Sequence, residues 1–442
     1  MRDYDENVDF TNIKFVVDND LCTCCGTCAG LCPESAIQMM ESPGGLLLPR
    51  IDTERCTKCR ICVLVCPGWK VEKIWPELTD AYKGQALSAF LVHAVDPQSR
   101  LESQSAGAVT ALCGYLLSCG EVDGVLVTEM PVDGSLRPKP FIARSAEDLK
   151  KARGSKYCPT GSNAGLRRVN LEESIALVGL GCHIHGLRRA EMNMPNRVSN
   201  VKVAIGLICE GMMGFGSMDY LVEKSGLKRD EVESLRFKNK KFGGWPGDTS
   251  VKLFNGEERR VSKKHRLASK FGFGLPRCML CWDKLNIGAD ITAGDPWGIC
   301  NDKEGFNVLI ARTEKGNKIV RNAISKGFLV GELLDIEMIN RGQNIEVRRK
   351  SCSGSLNAWK EMGRLIPEVP FDFKIGNAKF RKKQQKLLNQ KLEQVNSGTC
   401  EEAFKFGCRC IERARQKKLL SLVFWKKSIH RLIRQLRNIA GF

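Results

Sequence analysis

The apolar positions between residues 86 and 211 follow two alternating patterns. Short apolar runs, which are typical of buried strands, alternate with longer amphipathic stretches, which are typical of helices. The main segments are ALSAFLVHAV, SAGAVTALCGYLLSCG, VDGVLVTEM, SIALVGLGCHIHGLRRAE and VKVAIGLICEG. Buried strands that are followed by helices predict an α/β domain whose sheet is covered on both faces.

A different amphipathic pattern ends the chain. Apolar residues there recur every three or four positions, and lysines and arginines lie off this apolar stripe. A basic amphipathic helix with a tryptophan is typical of a membrane-surface anchor or of a docking helix for a partner subunit. A helix folded back on the main body gives the same pattern, so all three interpretations stay open. The stripe consists of Leu422, Trp425, Ile429, Leu432, Ile433, Leu436 and Ile439.

Eight of the cysteines near the N-terminus form two copies of one motif, C-x2-C-x2-C-x3-C-P. This spacing is that of bacterial two-cluster ferredoxins, in which the first three cysteines hold one [4Fe-4S] cluster and the fourth reaches the other cluster. Zinc sites and disulfide frameworks are the alternatives, but zinc sites usually pair two separate CxxC units. The motif therefore predicts one cluster on Cys22, Cys25, Cys28 and Cys66 and a second on Cys32, Cys56, Cys59 and Cys62. Cys24 lies outside the motif and is left without a role.

Composition and charge narrow the class of protein. The chain of 442 residues has a net charge of +19, but residues 373–442 hold 18 of the 69 lysines and arginines and only 4 glutamates. The excess charge is thus concentrated in the tail, and since no nucleic-acid-binding motif is present we expect no nucleic-acid partner. No apolar run is long enough to span a bilayer, and the acidic first residues do not resemble a signal peptide. We expect a cytoplasmic protein, peripheral on a membrane if the tail is an anchor, in which 21 reduced cysteines indicate metal binding.

Six segments carry a family resemblance. In chain order they are LESQSAGAVTALCGYLLSCGEVDGVLV, ARGSKYCPTGSN, VGLGCHIHGLRRAE, IGLICEG, NKKFGGWPG and CMLCWDKLNIGADITAGDPWG. Together they resemble the β subunit family of coenzyme F420 hydrogenases and dehydrogenases, which also includes the 7-hydroxymethyl chlorophyll a reductases. The resemblance covers residues 80–345, and a ferredoxin module in front of this region is a common arrangement in the family.

The resemblance implies a flavin, usually FAD, at a helix start rich in serine and glycine. Backbone N–H groups and hydroxyls at such a position can hydrogen-bond a flavin ring or a phosphate. Ala106 departs from the pattern, because many members have a second glycine there. From the residues alone, a well-capped helix with a small packing face is the alternative. The implied flavin-binding residues are Ser103, Gln104, Ser105, Gly107 and Thr110.

Two further residues match the family pattern as candidates for a role in catalysis. The resemblance implies that Lys156, in GSKYCPTGSN, stabilises negative charge on the reduced flavin, although a solvated loop lysine fits the sequence equally well. It also implies that Asp295, together with Trp297, lines the same cleft. An aspartate that caps a helix is the alternative for Asp295.

Four more cysteines stand in the motifs that carry the resemblance. Cys278 and Cys281 form a CxxC pair, and Cys182 and Cys209 each follow an apolar strand-like run, so they can meet at the carboxyl edge of the sheet. Family members carry a third [4Fe-4S] cluster in this domain, and four cysteines suffice for one. The alternative is a zinc site that combines the CxxC pair with His183 or His185.

The sequence therefore predicts three regions: an α+β ferredoxin-like domain over 1–75, an α/β flavin- and cluster-binding domain over 80–345, and a basic, largely helical extension over 346–442. The expected function is an oxidoreductase that uses FAD and [4Fe-4S] clusters. It would connect deazaflavin coenzyme F420, or another small organic substrate, with ferredoxin or a partner redox subunit. The alternatives are an electron-transfer subunit with no substrate of its own, and a family member that reduces a different substrate.

Overall fold

The computed structural model describes residues 10–71, 80–372 and 378–417. These residues form strands and helices in a mixed α/β arrangement. The strands are β1 Ile37–Glu41, β2 Leu47–Ile51, β3 Ser88–Ala94, β4 Gly124–Glu129, β5 Lys139–Ala143, β6 Ile175–Leu180, β7 Val201–Leu207, β8 Val232–Asn239, β9 Asp248–Leu253, β10 Glu258–Val261, β11 Ile291–Gly294, β12 Asn307–Ala311 and β13 Leu329–Leu333.

The helices range from single turns in the N-terminal region to long helices near the C-terminus. The α-helices are α1 Lys14–Asp18, α2 Thr27–Gly30, α3 Ile61–Leu64, α4 Pro97–Glu102, α5 Ala108–Ser118, α6 Ala146–Lys151, α7 Gly181–Asn193, α8 Gly216–Ser225, α9 Lys263–Phe273, α10 Pro276–Met279, α11 Glu314–Ser325, α12 Ile336–Gly342, α13 Ile345–Glu361 and α14 Ala378–Val395. Residues 400–417 are also helical, and 3₁₀ turns lie at Ser162–Arg168, Pro195–Arg197 and Arg229–Glu231. No helix in these ranges has both the length and the hydropathy that crossing a membrane requires.

An eight-stranded sheet forms the centre of the molecule, in the order β13-β3-β12-β11-β7-β6-β4-β5. Strands β4, β6, β7 and β11 run parallel to one another, and the outer strands pair antiparallel to their neighbours. Parallel strands need covered faces, which is why β6 and β7 read as nearly continuous apolar runs. The strands and helices predicted from the apolar pattern are present.

Helices cover both faces of this sheet, as predicted. On one face Leu112 of α5 and Val320 of α11 pack with Val203 and Ile205 of β7. On the other face Ile184 and Leu187 of α7 form a core with alternate strand residues. The second core also contains Leu31 and Val65, so the N-terminal region packs against α7.

Small residues bring the N-terminal region unusually close to the central domain. A Cβ atom at Gly30 would overlap the carbonyl oxygen of Asn163, and one at Gly186 would overlap the hydroxyl of Thr27. In the same place the Asn163 side chain donates to Thr27 Oγ1 over 2.9 Å and to the His183 carbonyl over 2.7 Å. At Gly30 backbone therefore lies directly against backbone, and at Gly186 the backbone lies directly against the Thr27 side chain. The larger side chains of other residues would separate the two regions.

One hydrophobic cluster joins all three predicted regions. It contains Val16 near the N-terminus, Trp282 of the central region, and Trp359 and Leu388 of α13 and α14. Trp359 is fully buried, and its indole N–H donates to the Leu365 carbonyl over 2.8 Å. The described part of the C-terminal extension thus packs on the body of the protein. The apolar stripe that begins at Leu422 lies outside the described residues.

A three-stranded antiparallel sheet, β8-β9-β10, stands beside the central sheet. Its inner face packs with α8 and α9 around residues such as Phe237 and Phe273. The helical residues 400–417 contribute Ile411 to the same core. This small sheet matters for function because β8 carries a lysine that reaches the cleft described below.

Candidate functional site

The outer site is the set of four cysteines nearest the surface, and it follows the predicted exchange of ligands between the two motifs. Its cysteines line one cavity of about 20 Å³. Cys59 is exposed and Cys62 is buried. Burial raises the pKa of Cys62 to about 11, and the thiols of the other three cysteines add to that shift. The members of this outer site are Cys32, Cys56, Cys59 and Cys62.

The middle site is the other set predicted from the ferredoxin motif, namely Cys22, Cys25, Cys28 and Cys66. Burial raises the pKa of Cys28 well above its ordinary value, and the thiols of Cys25, Cys66 and Cys22 raise it further. Burial likewise raises the pKa of Cys66, with the thiols of Cys25 and Cys22 as neighbours. The structure therefore brings these four thiols together. Cys24 is fully buried, and its backbone N–H donates to Cys22 Sγ over 3.4 Å.

The inner site is formed by the four remaining candidates, which line one cavity of about 50 Å³: Cys182, Cys209, Cys278 and Cys281. The order of the strands explains why these four cysteines lie together. Cys182 is the second residue of α7, directly after β6, and Cys209 follows the parallel neighbour β7. Helix α10, which contains Cys278, then brings the CxxC pair to the same carboxyl edge of the sheet.

The inner site touches the middle site. Thr23 and Pro67, which belong to the two ferredoxin motifs, line the inner cavity. Cys25 of the middle site is also among the thiols whose charge raises the pKa of Cys182, after burial, which has the largest effect. The inner and middle sets of cysteines are thus neighbours.

The donor set of the inner site fits an iron–sulfur cluster. Burial raises the pKa of Cys209 to about 12 and raises that of Cys278, so without a positive charge nearby these side chains stay protonated. Iron in a cluster supplies such a charge and deprotonates coordinating thiols. Arg277 and Arg348 line the same cavity, and Arg348 donates to the Cys278 carbonyl over 3.1 Å. Two cations beside four thiols suit an anionic cluster.

The histidines of the zinc alternative have other partners. His185 Nε2 lies 2.7 Å from Asp283 Oδ2, and His183 Nδ1 accepts a hydrogen bond from the Leu180 N–H over 3.0 Å. Within the described ranges no group of three or more His, Cys, Asp or Glu side chains is close enough to hold a single metal ion. The spread of the four thiols around a cavity suits a cluster of several atoms better than one zinc ion.

Beside the inner site lies a cleft of about 260 Å³ at the carboxyl edge of β4, β6, β7 and β11. All seven residues that the sequence nominates for the flavin or for catalysis line it: Ser103, Gln104, Ser105, Gly107, Thr110, Lys156 and Asp295. Concave sites with a few convergent polar groups are typical of cofactor pockets, and the edge of a parallel sheet is a usual place for them.

Two polar atoms in the cleft have no partner of their own. Ser103 Oγ and His183 Nε2 are buried without a hydrogen bond to any described residue. Because His183 Nδ1 accepts the Leu180 N–H, the imidazole carries its proton on Nε2 and offers it as a donor. Buried donors are normally satisfied, so these two atoms indicate a bound polar molecule. The cleft therefore fits a flavin, whose ring carries several acceptors.

Hydrogen bonds between distant segments fix the shape of the predicted flavin-binding turn. Asn307 Oδ1 accepts the N–H groups of Ala106 and Ala108 at the start of α5, over 3.1 and 3.2 Å. Ser105 Oγ donates to the Phe306 carbonyl over 2.5 Å. Gln104 donates to the Tyr157 hydroxyl and accepts the Ser155 N–H, each over 3.2 Å, which links the turn to the loop that carries Lys156. Ala106, where many family members have glycine, is fully buried, so its methyl group lies in the protein interior.

Lys156 is partly buried at the wall of the cleft. Its ammonium donates to the Ala152 carbonyl over 2.6 Å. Burial lowers its pKa to about 7, and Arg236 lowers it further, while Cys158 and Glu129 oppose the shift. The side chain is therefore poised between its charged and neutral forms near physiological pH, which a solvated loop lysine is not.

Asp295 pairs with a lysine that no sequence motif indicated. Lys238 Nζ lies 2.7 Å from Asp295 Oδ2, with the two side chains 5% and 14% exposed. The ammonium also lies 5.4 Å from the centre of the Trp297 ring. No helix begins at Asp295 in the described chain, so the helix-cap alternative does not describe it. Lys238 is on β8 and 57 positions away in sequence, which explains why local patterns did not reveal the pair.

The cleft and the inner site share one wall. Leu180, Cys209, Gly211 and Met212 line both cavities. A molecule in the cleft and a cluster in the inner site would be separated by these residues alone. The cleft, the inner site and the middle site are therefore successive neighbours.

Three protein-family models match parts of the chain. Residues 89–167 match the family model for the N-terminal part of the coenzyme F420 hydrogenase/dehydrogenase beta subunit, and residues 172–335 match the model for its C-terminal part. Residues 49–68 match a 4Fe-4S binding domain. The last match covers the second cysteine motif.

Individual relatives have low sequence identity to the chain but match long stretches of it. The coenzyme F420-dependent sulfite reductase of Methanocaldococcus jannaschii is 26% identical over 76% of this chain, which spans only 50% of that protein. The coenzyme F420 hydrogenase subunit beta of Methanothermobacter thermautotrophicus is 24% identical over 60% of this chain and 92% of its own length.

A solved structure shares the fold. One chain of the F420-reducing [NiFe] hydrogenase complex from Methanosarcina barkeri superposes with a TM-score of 0.52 and 22% identity, covering 67% of this chain and all of that one. The two family models together extend through most of residues 89–335, the region that contains the cleft and the inner site. The chain belongs to the coenzyme F420 hydrogenase/dehydrogenase beta subunit family, with a 4Fe-4S binding domain in front.

Proposed function

We propose that the chain is an iron–sulfur flavoprotein oxidoreductase. It moves electrons between an organic two-electron partner bound at the cleft and three [4Fe-4S] clusters at the inner, middle and outer sites. The proposed organic partner is coenzyme F420, because the sulfite reductase and hydrogenase relatives are named for it. FAD in the cleft would supply the conversion between two-electron and one-electron chemistry.

The observation that carries the proposal is the wall shared by the cleft and the inner site. A cofactor site and four cysteines are in contact through Leu180, Cys209, Gly211 and Met212, and the inner cavity reaches Thr23 and Pro67 of the ferredoxin motifs. Electron transfer requires redox sites that lie next to one another, whereas sites that act separately need no such contact. This arrangement would give electrons a continuous path from the cleft to the exposed Cys59.

The residues of the cleft have distinct proposed roles. Ser103 and His183 hold the cofactor through their unpartnered polar atoms. Lys156 provides a positive charge that depends on pH. The Lys238–Asp295 pair fixes the loop of Trp297 at the end of β11, because both partners are largely buried and neither is easily moved without the other.

A second candidate function is favoured by the named relatives. Several of them are subunits, and the solved chain with this fold belongs to a hydrogenase complex. In that case the chain would pass electrons for a larger assembly. Purification decides between the two candidates, since an enzyme in its own right reduces an acceptor as a lone chain and a dependent subunit does so only with its partner.

The direct test is anaerobic purification followed by analysis of iron, sulfide, zinc and flavin. We expect about 12 irons for three clusters, and one flavin per chain. Addition of reduced coenzyme F420 should then bleach the cluster absorbance. About eight irons together with zinc would refute the inner cluster. A chain without flavin would refute the proposed chemistry.

The charge of Lys156 leads to a prediction about pH. Its ammonium is protonated below a pKa of about 7, and a bound anion such as the pyrophosphate of FAD favours that protonated form. Binding is then linked to proton uptake, so FAD affinity should fall several-fold between pH 6 and pH 8. Flavin fluorescence titrations of the flavin-depleted protein measure this. Lys156→Met should bind FAD more weakly at pH 6 and lack the pH dependence.

The conservative variant supplies the control for Lys156. Lys156→Arg keeps a positive charge across this range, because guanidinium groups stay protonated. Its FAD affinity should therefore vary little from pH 6 to pH 8. An unchanged pH dependence in Lys156→Met would assign the titration to another group.

A further inference from the structure

The two cysteine motifs share left-handed backbone at two equivalent positions but carry different residues there. Cys24 and Lys58 stand at equivalent places and have φ angles of 57° and 56°, and Gly26 and Arg60 are likewise equivalent, with φ angles of 81° and 63°. Left-handed φ angles suit glycine and are unfavourable for residues with a side chain. The second motif therefore keeps two long cationic side chains at strained positions.

The surroundings of the first motif explain its residues. Cys24 is fully buried. A Cβ atom at Gly26 would lie 2.6 Å from the Gly161 carbonyl oxygen, so this loop is pressed against the central domain and accepts no larger residue. The second motif has the opposite environment, because Lys58, Cys59 and Arg60 are all exposed.

No contact within the described chain explains the two cations. Over residues 10–71, 80–372 and 378–417, neither the Lys58 ammonium nor the Arg60 guanidinium makes a hydrogen bond or an ion pair. By contrast, two arginines that reach the ferredoxin region from elsewhere in the chain are paired, Arg137 with Glu41 and Arg364 with Asp20. The left-handed backbone is common to both motifs, so what is left without an internal explanation is the presence of two exposed cations beside Cys59.

The local charge is predominantly positive and surrounds the outer cysteines. The charged residues that line the outer cavity are Lys58, Arg60 and Glu34. Leu64, one helical turn after Arg60, is 43% exposed and offers an apolar contact beside the cations. An exposed redox site with an apolar residue and flanking cations has the composition of a transient docking surface.

We propose that Lys58, Arg60 and Leu64 form the docking surface for an acidic one-electron carrier protein at the outer site. The proposal rests on the proposed function, in that the outer cysteines must hold a cluster. One electron passes between this cluster and the carrier's own iron–sulfur centre, so that one is oxidised as the other is reduced and no bond forms or breaks. Opposite charges guide the encounter and increase its rate at low ionic strength. The same surface of a second copy is an unsuitable occupant, since it would bring Lys58 and Arg60 against like charges.

The test uses the full-length, cluster-loaded protein and an acidic two-cluster bacterial ferredoxin as the carrier. Electrons are supplied at the cleft by reduced coenzyme F420, and methyl viologen serves as a small acceptor that needs no docking surface. For Lys58→Glu/Arg60→Glu we expect ferredoxin reduction to slow roughly tenfold at low salt, with viologen reduction and iron content unchanged. The difference should disappear at high salt, where the charges are screened.

A matched control carries the same change of charge elsewhere. Lys315 and Lys318 are exposed on α11, which packs on the face of the sheet opposite to α7 and the ferredoxin region. Lys315→Glu/Lys318→Glu should therefore reduce ferredoxin at the rate of the unmodified protein. Equal slowing in both double variants would show a general effect of net charge and would overturn the proposal.

Other outcomes separate this proposal from the proposed function. Ferredoxin reduction that is unchanged in Lys58→Glu/Arg60→Glu, or equal slowing of ferredoxin and viologen, would overturn the docking surface while the oxidoreductase stands. Reduction of neither acceptor by the unmodified protein would instead refute the proposed function. If the double variant loses iron, the unmodified protein provides the test through the salt dependence of its ferredoxin reduction. A rate of ferredoxin reduction that does not fall with rising salt would overturn the proposal.

Discussion

Replacing Cys209 by alanine is expected to remove about four irons per chain and to disconnect the cleft from the ferredoxin sites. The thiol belongs to the wall that both cavities share, so its loss affects the inner cluster at the point nearest the cleft. The middle and outer sites have their own cysteines and should keep their clusters. Reduced coenzyme F420 should then still bind while the remaining clusters stay oxidised over the time of the normal reaction.

Iron and sulfide analysis with stopped-flow absorbance measures both effects. Cys158→Ala is the matched control, because Cys158 is fully buried and lies outside the four-cysteine cavity. That variant should keep all of its iron and its rapid cluster reduction. A Cys209→Ala protein that retains about 12 irons would show that Cys209 is no ligand. Loss of four irons from Cys158→Ala would transfer the assignment to that residue.

The second large effect is expected at Trp359. This side chain is fully buried in the cluster that joins the N-terminal region, the central region and the C-terminal helices. Trp359→Ala removes a large apolar group and leaves the Leu365 carbonyl without its indole donor. The free energy of unfolding should fall by about 3–5 kcal/mol. Since the cluster connects all three regions, the ferredoxin part should loosen together with the C-terminal helices.

Thermal unfolding under anaerobic conditions, followed by circular dichroism and by cluster absorbance, tests this. Both signals should disappear at the same lowered temperature in Trp359→Ala. Phe254→Ala is the control, as Phe254 is 59% exposed and its loss should leave the transition close to that of the unmodified protein. Cluster absorbance that persists at its original temperature while the helices unfold would show that the C-terminal extension is energetically independent.

Much of the architecture could be read from local patterns. The spacing of the two cysteine motifs restricts which thiols can meet, so the exchange of Cys32 and Cys66 between the sites was predictable. Strand periodicity placed Cys182 and Cys209 after neighbouring strands, and the parallel pairing of β6 with β7 brings them together. The seven cleft residues came from the family resemblance, and they line one cavity.

The features that escaped prediction depend on contacts between distant segments. Lys238 reaches Asp295 from another sheet, and nothing in the sequence near either residue indicates the pair. Asn307 holds the start of α5 from a strand about 200 positions away. The C-terminal helices α13 and α14 look like part of a basic tail by charge, but the apolar side of each completes a core that the other regions begin. The charge pattern of a helix describes its exposed side and gives little information about the core that its apolar side joins.

The close approach of Gly30 to Asn163 and of Gly186 to Thr27 has a kinetic consequence. Because the backbone at these two glycines lies directly against its neighbours, the spacing between the ferredoxin region and the central domain is set by the fold. Under the proposed function, electron transfer across this seam would be a first-order event, with a rate that depends neither on protein concentration nor on salt. Any second-order behaviour of the whole reaction must then arise at its two ends.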